Sequence, residues 1–153
     1  MYGTVYGSDT DCAVGRRELV RHQWVNLAEE AEPLAFARAQ VRQTLDGRAS
    51  ASVVNDAVLV ASELVGNALR HTTPGPDCMN VEVYRDAAVL WVHDSGTDTD
   101  SVKPRANTSN DELLESGRGL QLIDELTARW FVQPTAIGKM VVAVVELDDR
   151  GTT

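Results

Sequence analysis

The stretch that most constrains the fold is Glu63-Leu64-Val65-Gly66-Asn67-Ala68-Leu69-Arg70-His71. Glu63, Asn67 and His71 are spaced by four residues, so on a helix each lies about 40° further around the axis and the three form one polar stripe. The amide oxygen of Asn67 is a hard ligand suited to Mg²⁺. The carboxylate of Glu63, one turn away, can orient or deprotonate a hydroxyl that attacks a phosphate. An ordinary solvated helix face is the alternative interpretation of this stretch taken alone.

The residues around this stretch predict a long amphipathic helix. Ser50 or Ser52 can cap its start. Apolar residues recur at helical spacing, at Ala57, Ala61, Leu64 and Ala68. The helix is expected to end by His71, because the residues that follow it cannot continue a helix: Thr72-Thr73-Pro74-Gly75-Pro76.

A second candidate site lies at the end of an apolar strand, Val89-Leu90-Trp91-Val92-His93-Asp94-Ser95-Gly96. The Asp94 carboxylate can accept a hydrogen bond from an exocyclic amine, and Gly96 lets the backbone approach a flat ring closely. Since Asp, Ser and Gly are common turn residues, a plain strand that ends in a turn is the favoured interpretation of this stretch taken alone.

A third candidate site is the glycine-rich stretch Glu115-Ser116-Gly117-Arg118-Gly119-Leu120-Gln121-Leu122-Ile123. Backbone N–H groups at such a helix start, together with the helix dipole, form a natural phosphate cradle, and Arg118 can add a charge contact. A flexible hinge is the alternative, because a lone Gly-x-Gly is a weak signal. The polar segment before it, Gly96 to Glu115, is typical of a mobile functional loop or of disorder.

The order of helices and strands favours an α+β fold. Further helices are predicted over Ala35–Leu45 and from Gly117 to about Trp130. Strands are predicted over Gln23–Leu27, Asn80–Tyr84, Ala88–His93, Phe131–Pro134 and Met140–Leu147, with a hairpin turn at Arg85-Asp86. These elements imply a two-layer sandwich, in which one antiparallel or mixed sheet is covered by helices. Residues 1–15 are interpreted as a flexible leader and residues 16–150 as one domain.

The composition of the chain limits which partners and which cellular compartment are expected. The 153 residues carry a formal net charge of −9, which disfavours direct nucleic acid binding and favours a partner with a basic face. Cys12 and Cys78 are expected to be free thiols without metal-ligand spacing. No apolar run is expected to reach the length of a membrane span, and the N-terminus lacks a signal layout, so a cytoplasmic location is expected.

Taken in this order, the three candidate sites resemble the GHKL ATPases, a superfamily that includes gyrase, the heat-shock chaperone and the histidine kinases. Residues 63–71 look like the family's N box, Asp94-Ser95-Gly96 like its first glycine box and Gly117-Arg118-Gly119-Leu120 like its second. The short chain, without a dimerisation or phosphoacceptor helix, is most similar to the anti-sigma-factor serine kinases. The resemblance covers about Trp24 to Leu147 and implies a Bergerat-type ATP-binding fold.

The resemblance implies a role for each matching residue. Asn67 would hold Mg²⁺ and Glu63 would be the general base for a serine hydroxyl. Asp94 would bind the adenine amine, with Gly96 making room for the ring. The second glycine box would wrap the phosphates through Gly117, Arg118, Gly119 and Leu120. Residues 97–116 would form the ATP lid.

The resemblance also implies partners and leaves alternatives open. A serine on an anti-anti-sigma protein would be the substrate and a sigma factor the second partner. Related proteins often pair, so a homodimer is a candidate assembly, without independent support in the sequence. A non-catalytic sigma-binding or adaptor module with a weak or vestigial nucleotide site is the main alternative. A histidine kinase ranks last, because no dimerisation helix pair with a phosphoacceptor fits in the chain.

Two departures from the family pattern favour weak nucleotide binding. Asp98 stands where the first glycine box usually has its second glycine, and it would bring a side chain and a negative charge near the phosphates. The last strand often opens Gly-x-Thr, whereas this chain has Gly138-Lys139-Met140. Met140 cannot supply the hydroxyl expected on the adenine side, and Lys139 is interpreted either as a replacement charge or as a solvated turn residue.

Overall fold

The computed structural model describes residues 18–72, 75–95 and 118–148, and within them it contains five strands and three helices. In chain order they are β1 (Leu19–Asn26), α1 (Pro33–Leu45), α2 (Ala51–His71), β2 (Pro76–Tyr84), β3 (Ala87–Asp94), α3 (Arg118–Leu126), β4 (Arg129–Thr135) and β5 (Gly138–Glu146). The strands form one sheet in the order β1-β2-β3-β5-β4, and every neighbouring pair is antiparallel. The predicted α+β class with one helix-covered sheet is confirmed.

Helix α2 is the core helix of the domain. Ser50 is its N-cap, and the Ser50 hydroxyl accepts a hydrogen bond from the backbone N–H of Val53 at 3.3 Å. Contrary to the expectation from sequence, α2 is long and apolar enough to cross a membrane by length and composition. Half of its most apolar window is buried inside the protein, where it packs on α1, α3 and the sheet, and this packing accounts for its composition.

The main core lies between the sheet and the helices. Alternate strand residues face it, so that Val81, Leu90 and Ala143 meet Val41 and Leu64 from the helices. Strand β3 lies in the middle of the sheet and all of its residues are buried. A second buried cluster lies on the opposite face of the sheet and includes Trp91, Met140 and Val142. The chain therefore buries β3 on both faces.

The connection between β2 and β3 is the tight one that the sequence predicts. Arg85 and Asp86 join the two antiparallel strands, and Val83 pairs with Ala88 directly beside them. Both strands are longer than predicted, since β2 begins at Pro76 and β3 extends to Asp94. Strand β1 is also longer, because its pairing with β2 extends back to Leu19.

The last predicted helix is too long and requires a correction. It ends at Leu126, and Trp130 lies in β4 instead. The Thr127 N–H closes the final helical turn on Ile123, after which the Ala128 N–H donates to the Val144 carbonyl oxygen at 2.8 Å and joins the sheet. The Trp130 indole N–H donates back to the Asp124 carboxylate, so Trp130 does tie this helix to the sheet, but from the strand. The proposed leader 1–15 and lid 97–116 lie outside the described residues.

Candidate functional site

The polar stripe of α2 is most buried at its middle residue, Asn67. Asn67 is only 6% exposed, the Glu63 side chain is 28% exposed and His71 is exposed. The Oδ1 atom of Asn67 is buried and has no hydrogen-bond partner in the part of the chain that the structure describes. An unsatisfied buried carbonyl costs about 1–3 kcal/mol, so this oxygen is poised to accept a ligand.

The chemistry of the Asn67 oxygen fits a Mg²⁺ ion that arrives with a phosphate ligand. Mg²⁺ prefers hard oxygen donors and is commonly held by one or two protein ligands together with substrate phosphates. Among the described residues no group of three His, Cys, Asp or Glu side chains could hold a metal ion without such a ligand. The protein would therefore contribute one amide oxygen, and the bound nucleotide would contribute much of the rest.

Gly66 shapes the helix surface beside this stripe. A Cβ atom at this position would lie 3.2 Å from Nη1 of Arg70, so the glycine lets the arginine side chain lie close along the helix. Nη2 of Arg70 is 3.9 Å from Oε2 of Glu63, at the outer limit of an ion pair. The pair is partly exposed and holds Glu63 only weakly, which leaves its carboxylate able to turn towards another group.

Asp94 ends β3 and is engaged in a buried ion pair. Its Oδ1 atom lies 2.9 Å from Nζ of Lys139, and both side chains are 2% exposed. The same ammonium donates to the Thr72 hydroxyl at 3.3 Å. The group expected to bind the adenine amine therefore already accepts from a charged donor of the chain itself.

This arrangement corrects the interpretation of the strand that opens at Gly138. Lys139 is directly opposite Asp94 in the β3–β5 pairing and is buried, so it is not a solvated turn residue. Met140 pairs with His93 and belongs to the cluster on the opposite face of the sheet, away from Asp94. Strand alternation could have revealed this, because Lys139 shares its face with the core residues Val141 and Ala143.

Gly138 brings the two strand ends together. A Cβ atom at Gly138 would lie 2.0 Å from the Asp94 carbonyl oxygen and 2.7 Å from Cα of Ser95, a separation that no side chain can adopt without backbone movement. Only glycine fits between these backbones. The close approach fixes the start of β5, and with it the Lys139 backbone, beside Asp94.

The second glycine box lies at the start of α3. The helix begins at Arg118, and its first N–H groups have no partner within the helix. The Leu120 side chain is buried with Ile123 in the main core, which leaves only its backbone to meet a phosphate. Gly96 and Gly117 lie outside the described residues, and the description of Arg118 and Gly119 is limited to their place in the helix.

A polar cluster next to Asp94 is absent from the sequence interpretation. The His93 ring is fully buried, with Nδ1 2.9 Å from Oδ2 of Asp77 and Nε2 2.8 Å from Oγ1 of Thr135. The Ser95 hydroxyl also donates to Oδ2 of Asp77, at 3.0 Å. This cluster links β2, β3 and β4 on the face opposite Asp94. Asp77 and Thr135 are 16 and 42 positions from His93, so no local motif reveals the cluster.

Comparisons with known proteins bear on the same region. A family model described as histidine kinase-like ATPase domain matches residues 27–145, which include α2, the end of β3 and the start of α3. A chain in the crystal structure of the SiaB-SiaC complex from Pseudomonas aeruginosa has a similar fold, with a TM-score of 0.54 and 13% sequence identity. The likeness covers 96% of this chain and 100% of that chain, and at this identity it concerns the fold alone. No curated protein matches the chain.

Proposed function

The chain belongs to the histidine kinase-like ATPase domain family, and we propose that it binds ATP with Mg²⁺ and acts as an anti-sigma regulatory factor. In this proposal it transfers the terminal phosphate to a serine of an anti-anti-sigma partner. The buried Asn67 carbonyl oxygen, without a partner among the described residues and one turn from Glu63, is the observation that carries the proposal. It supplies a metal ligand beside a carboxylate that can act as a base.

The other site residues take the roles that the resemblance assigns. Asp94 binds the adenine amino group and Gly96 gives space to the ring. Gly117, Arg118, Gly119 and Leu120 hold the phosphates through the start of α3, where backbone N–H groups and the helix dipole favour an anion. Residues 97–116 form the lid. Phosphoryl transfer needs mainly positioning and charge neutralisation, which these groups and Mg²⁺ provide together.

Protein partners are the second part of the proposal. The SiaB-SiaC structure is a complex, and its similar fold supports a protein partner for this chain as well. The net charge of −9 favours a partner with a basic face, such as a sigma factor surface. We place this regulation in the cytoplasm, where sigma factors act, and include a homodimer as the working assembly.

A non-catalytic sigma-binding or adaptor module is the second candidate. The ion pair between Lys139 and Asp94 favours it, because the carboxylate assigned to adenine is already charge-paired and buried. Asp98, which lies outside the described residues, adds a negative charge where the family usually has glycine. Such a module would keep the fold and the partner surface while it binds nucleotide weakly.

The first test is a calorimetric titration with ATP, with and without Mg²⁺. We expect saturable binding that requires Mg²⁺ and is lost in Asn67→Ala, because the metal ligand is removed. Asn55→Ala, on the exposed face of the same helix, is the matched control and should bind like the wild type. Equal affinities for Asn67→Ala and the wild type would overturn the metal assignment.

The second test separates the kinase from the adaptor. Glu63→Gln should keep Mg²⁺-dependent ATP binding but lose phosphate transfer to a serine-bearing anti-anti-sigma partner, because the base is neutralised without a change of shape. Transfer is measured by mass spectrometry of the partner. Binding of the partner without any transfer by the wild type would favour the adaptor. Full activity of Glu63→Gln would exclude Glu63 as the base.

A further inference from the structure

Lys139 is a buried cation at the place where the proposed function needs a free acceptor. Its Nζ atom donates to Oδ1 of Asp94 at 2.9 Å and to the Thr72 hydroxyl at 3.3 Å. Thr72 follows α2, Asp94 ends β3 and Lys139 lies near the start of β5. Three separate elements therefore converge on one ammonium group.

The geometry leaves Lys139 little freedom to leave this position. Gly138 is in contact with the backbone of Asp94 and Ser95, so the strand that carries Lys139 cannot shift without moving β3. Both charged side chains are 2% exposed. A buried ammonium needs its partner, since an isolated buried charge costs far more than an unsatisfied neutral group.

An adenine amino group is a weaker donor than this ammonium. The amine is neutral, whereas a charge-assisted hydrogen bond such as Lys139–Asp94 is shorter and roughly twice as strong as a neutral one. A base that approaches Asp94 must therefore displace the ammonium or share the carboxylate with it. Either event disturbs a pair that is already satisfied in the nucleotide-free chain.

We infer that Lys139 is an internal competitor for the base and sets the nucleotide affinity of this chain low. The ammonium occupies Oδ1 of Asp94, and the base gains its full hydrogen bond from this carboxylate only when the Lys139–Asp94 pair loosens or opens. Lys139 is thus a specificity-determining residue of the base site. The inference rests on the proposed function, because it assigns Asp94 to the base.

Lys139→Thr tests this inference with a short hydroxyl that can still donate to Asp94. Removal of a positive charge from a site for an anionic nucleotide should by itself weaken binding. If Lys139 competes with the base, the variant should instead bind Mg·ATP about tenfold more tightly or better, as measured by calorimetry. Inosine triphosphate carries a carbonyl in place of the amino group, and its affinity should not increase.

Arg85→Thr is the matched control for the charge. Arg85 is exposed at the β2–β3 turn, at the end of β3 that is remote from Asp94, and its replacement removes the same positive charge. Its affinity for Mg·ATP should equal that of the wild type. Lys139→Met is a second variant that keeps the length of the side chain without its charge, and it should also tighten ATP binding.

A spectroscopic test needs no substitution of Lys139. The chain contains two lysines, Lys103 and Lys139, so ¹⁵N-lysine labelling gives two ammonium signals, and Lys103→Arg assigns them. We expect the Lys139 signal to be protected from solvent exchange in the free protein, because the ammonium is buried and paired. It should lose that protection when Mg·ATP saturates the site.

The outcomes separate the inference from the proposed function. ATP binding that depends on Asn67 but is equal or weaker in Lys139→Thr and Lys139→Met would overturn the inference and leave the function standing. An unchanged Lys139 signal at saturation would do the same. If the folded wild type and both Lys139 variants all fail to bind ATP, the proposed function and the inference both fail. Tight binding only after substitution of Lys139 supports both.

Discussion

Cys78 is a buried thiol beside an acidic side chain. It lies in β2, in the cluster on the sheet face that points away from the helices. Burial, helped by the negative charge of Asp77, raises the pKa of Cys78 from 9.0 to about 12, although a backbone hydrogen bond with His93 opposes the shift. The folded chain therefore keeps this thiol protonated and unreactive at neutral pH.

This raised pKa predicts a loss of stability in alkali. Below pH 9 both the folded and the unfolded thiol are protonated, so the full stability is present. Between pH 9 and 12 only the unfolded chain releases the proton, and unfolding is favoured. At pH 10 the loss is about 1.4 kcal/mol relative to pH 8. Urea unfolding of Cys12→Ala and Cys12→Ala/Cys78→Ala at both pH values checks this, since only the double variant should lack this loss. An equal loss of stability in both variants would contradict this prediction.

The proximity of two site residues could be predicted from the sequence where both belong to one short motif. Glu63 and Asn67 are four residues apart on one helix, so their proximity follows from helix geometry, and the structure places both as expected. Lys139 and Asp94 are 45 residues apart, and their contact depends on which residues of β3 and β5 face each other. That register is a property of the folded sheet, so the competitor for the base could not be identified from the motif.

The start of α2 offers a prediction at the scale of the element. Ser50→Ala removes the hydroxyl that accepts from the Val53 N–H and should lower the free energy of unfolding by about 1 kcal/mol. The backbone N–H of Ser50 still donates to Asp148 in this variant, so the backbone should keep the same path into the helix. Ser52→Ala is the matched control, because Ser52 is exposed inside the first turn and is not the cap. Chemical denaturation measures both, and equal losses would contradict the assignment of the cap.

The C-terminal end of α3 is an element boundary that the sequence did not predict correctly. Apolar residues continue at helical spacing towards Trp130, which favours a longer helix. The chain instead leaves the helix after Leu126, because the Ala128 N–H finds a partner at Val144 in the sheet. A long-range hydrogen bond thus ends the helix without a local stop signal. In contrast, the sequence limited the N-cap of α2 to Ser50 or Ser52, and the structure shows that Ser50 is the cap.

At the scale of the whole molecule, the net charge predicts how stability responds to salt. At a net charge of −9 at pH 7, the excess negative side chains repel one another in the compact folded state. Raising NaCl from 20 to 200 mM shortens the electrostatic screening length from about 20 to about 7 Å and so weakens this repulsion. We expect the melting temperature to rise by about 1–3 °C. Near pH 4.7, the isoelectric point, the same salt should give no rise. A fall at pH 7, or an equal rise at both pH values, would contradict this expectation.

The overall architecture was predictable because its signals are redundant. The amphipathic pattern of α2, the alternation in β2 and β3 and the turn at Arg85-Asp86 each point to an α+β sandwich. The full strand order was not predictable, since β5 pairs with β3 as well as with its hairpin partner β4, and no local pattern encodes the β3–β5 pairing. The polar cluster of His93 depends on this order and was missed for the same reason.

The strand order also affects which strands pair early and which pair late during folding. The β2–β3 hairpin closes through two residues, and such hairpins form in about 1–10 μs. Strand β5 likewise forms a hairpin with β4 through two residues, whereas the β1–β2 and β3–β5 pairings join strands that are far apart in sequence and require slower closure of large loops. We expect Asp94 to reach its place early in folding and to stay hydrated until β5 brings Lys139 beside it. The two charges then lose their hydration together, in a late step of folding.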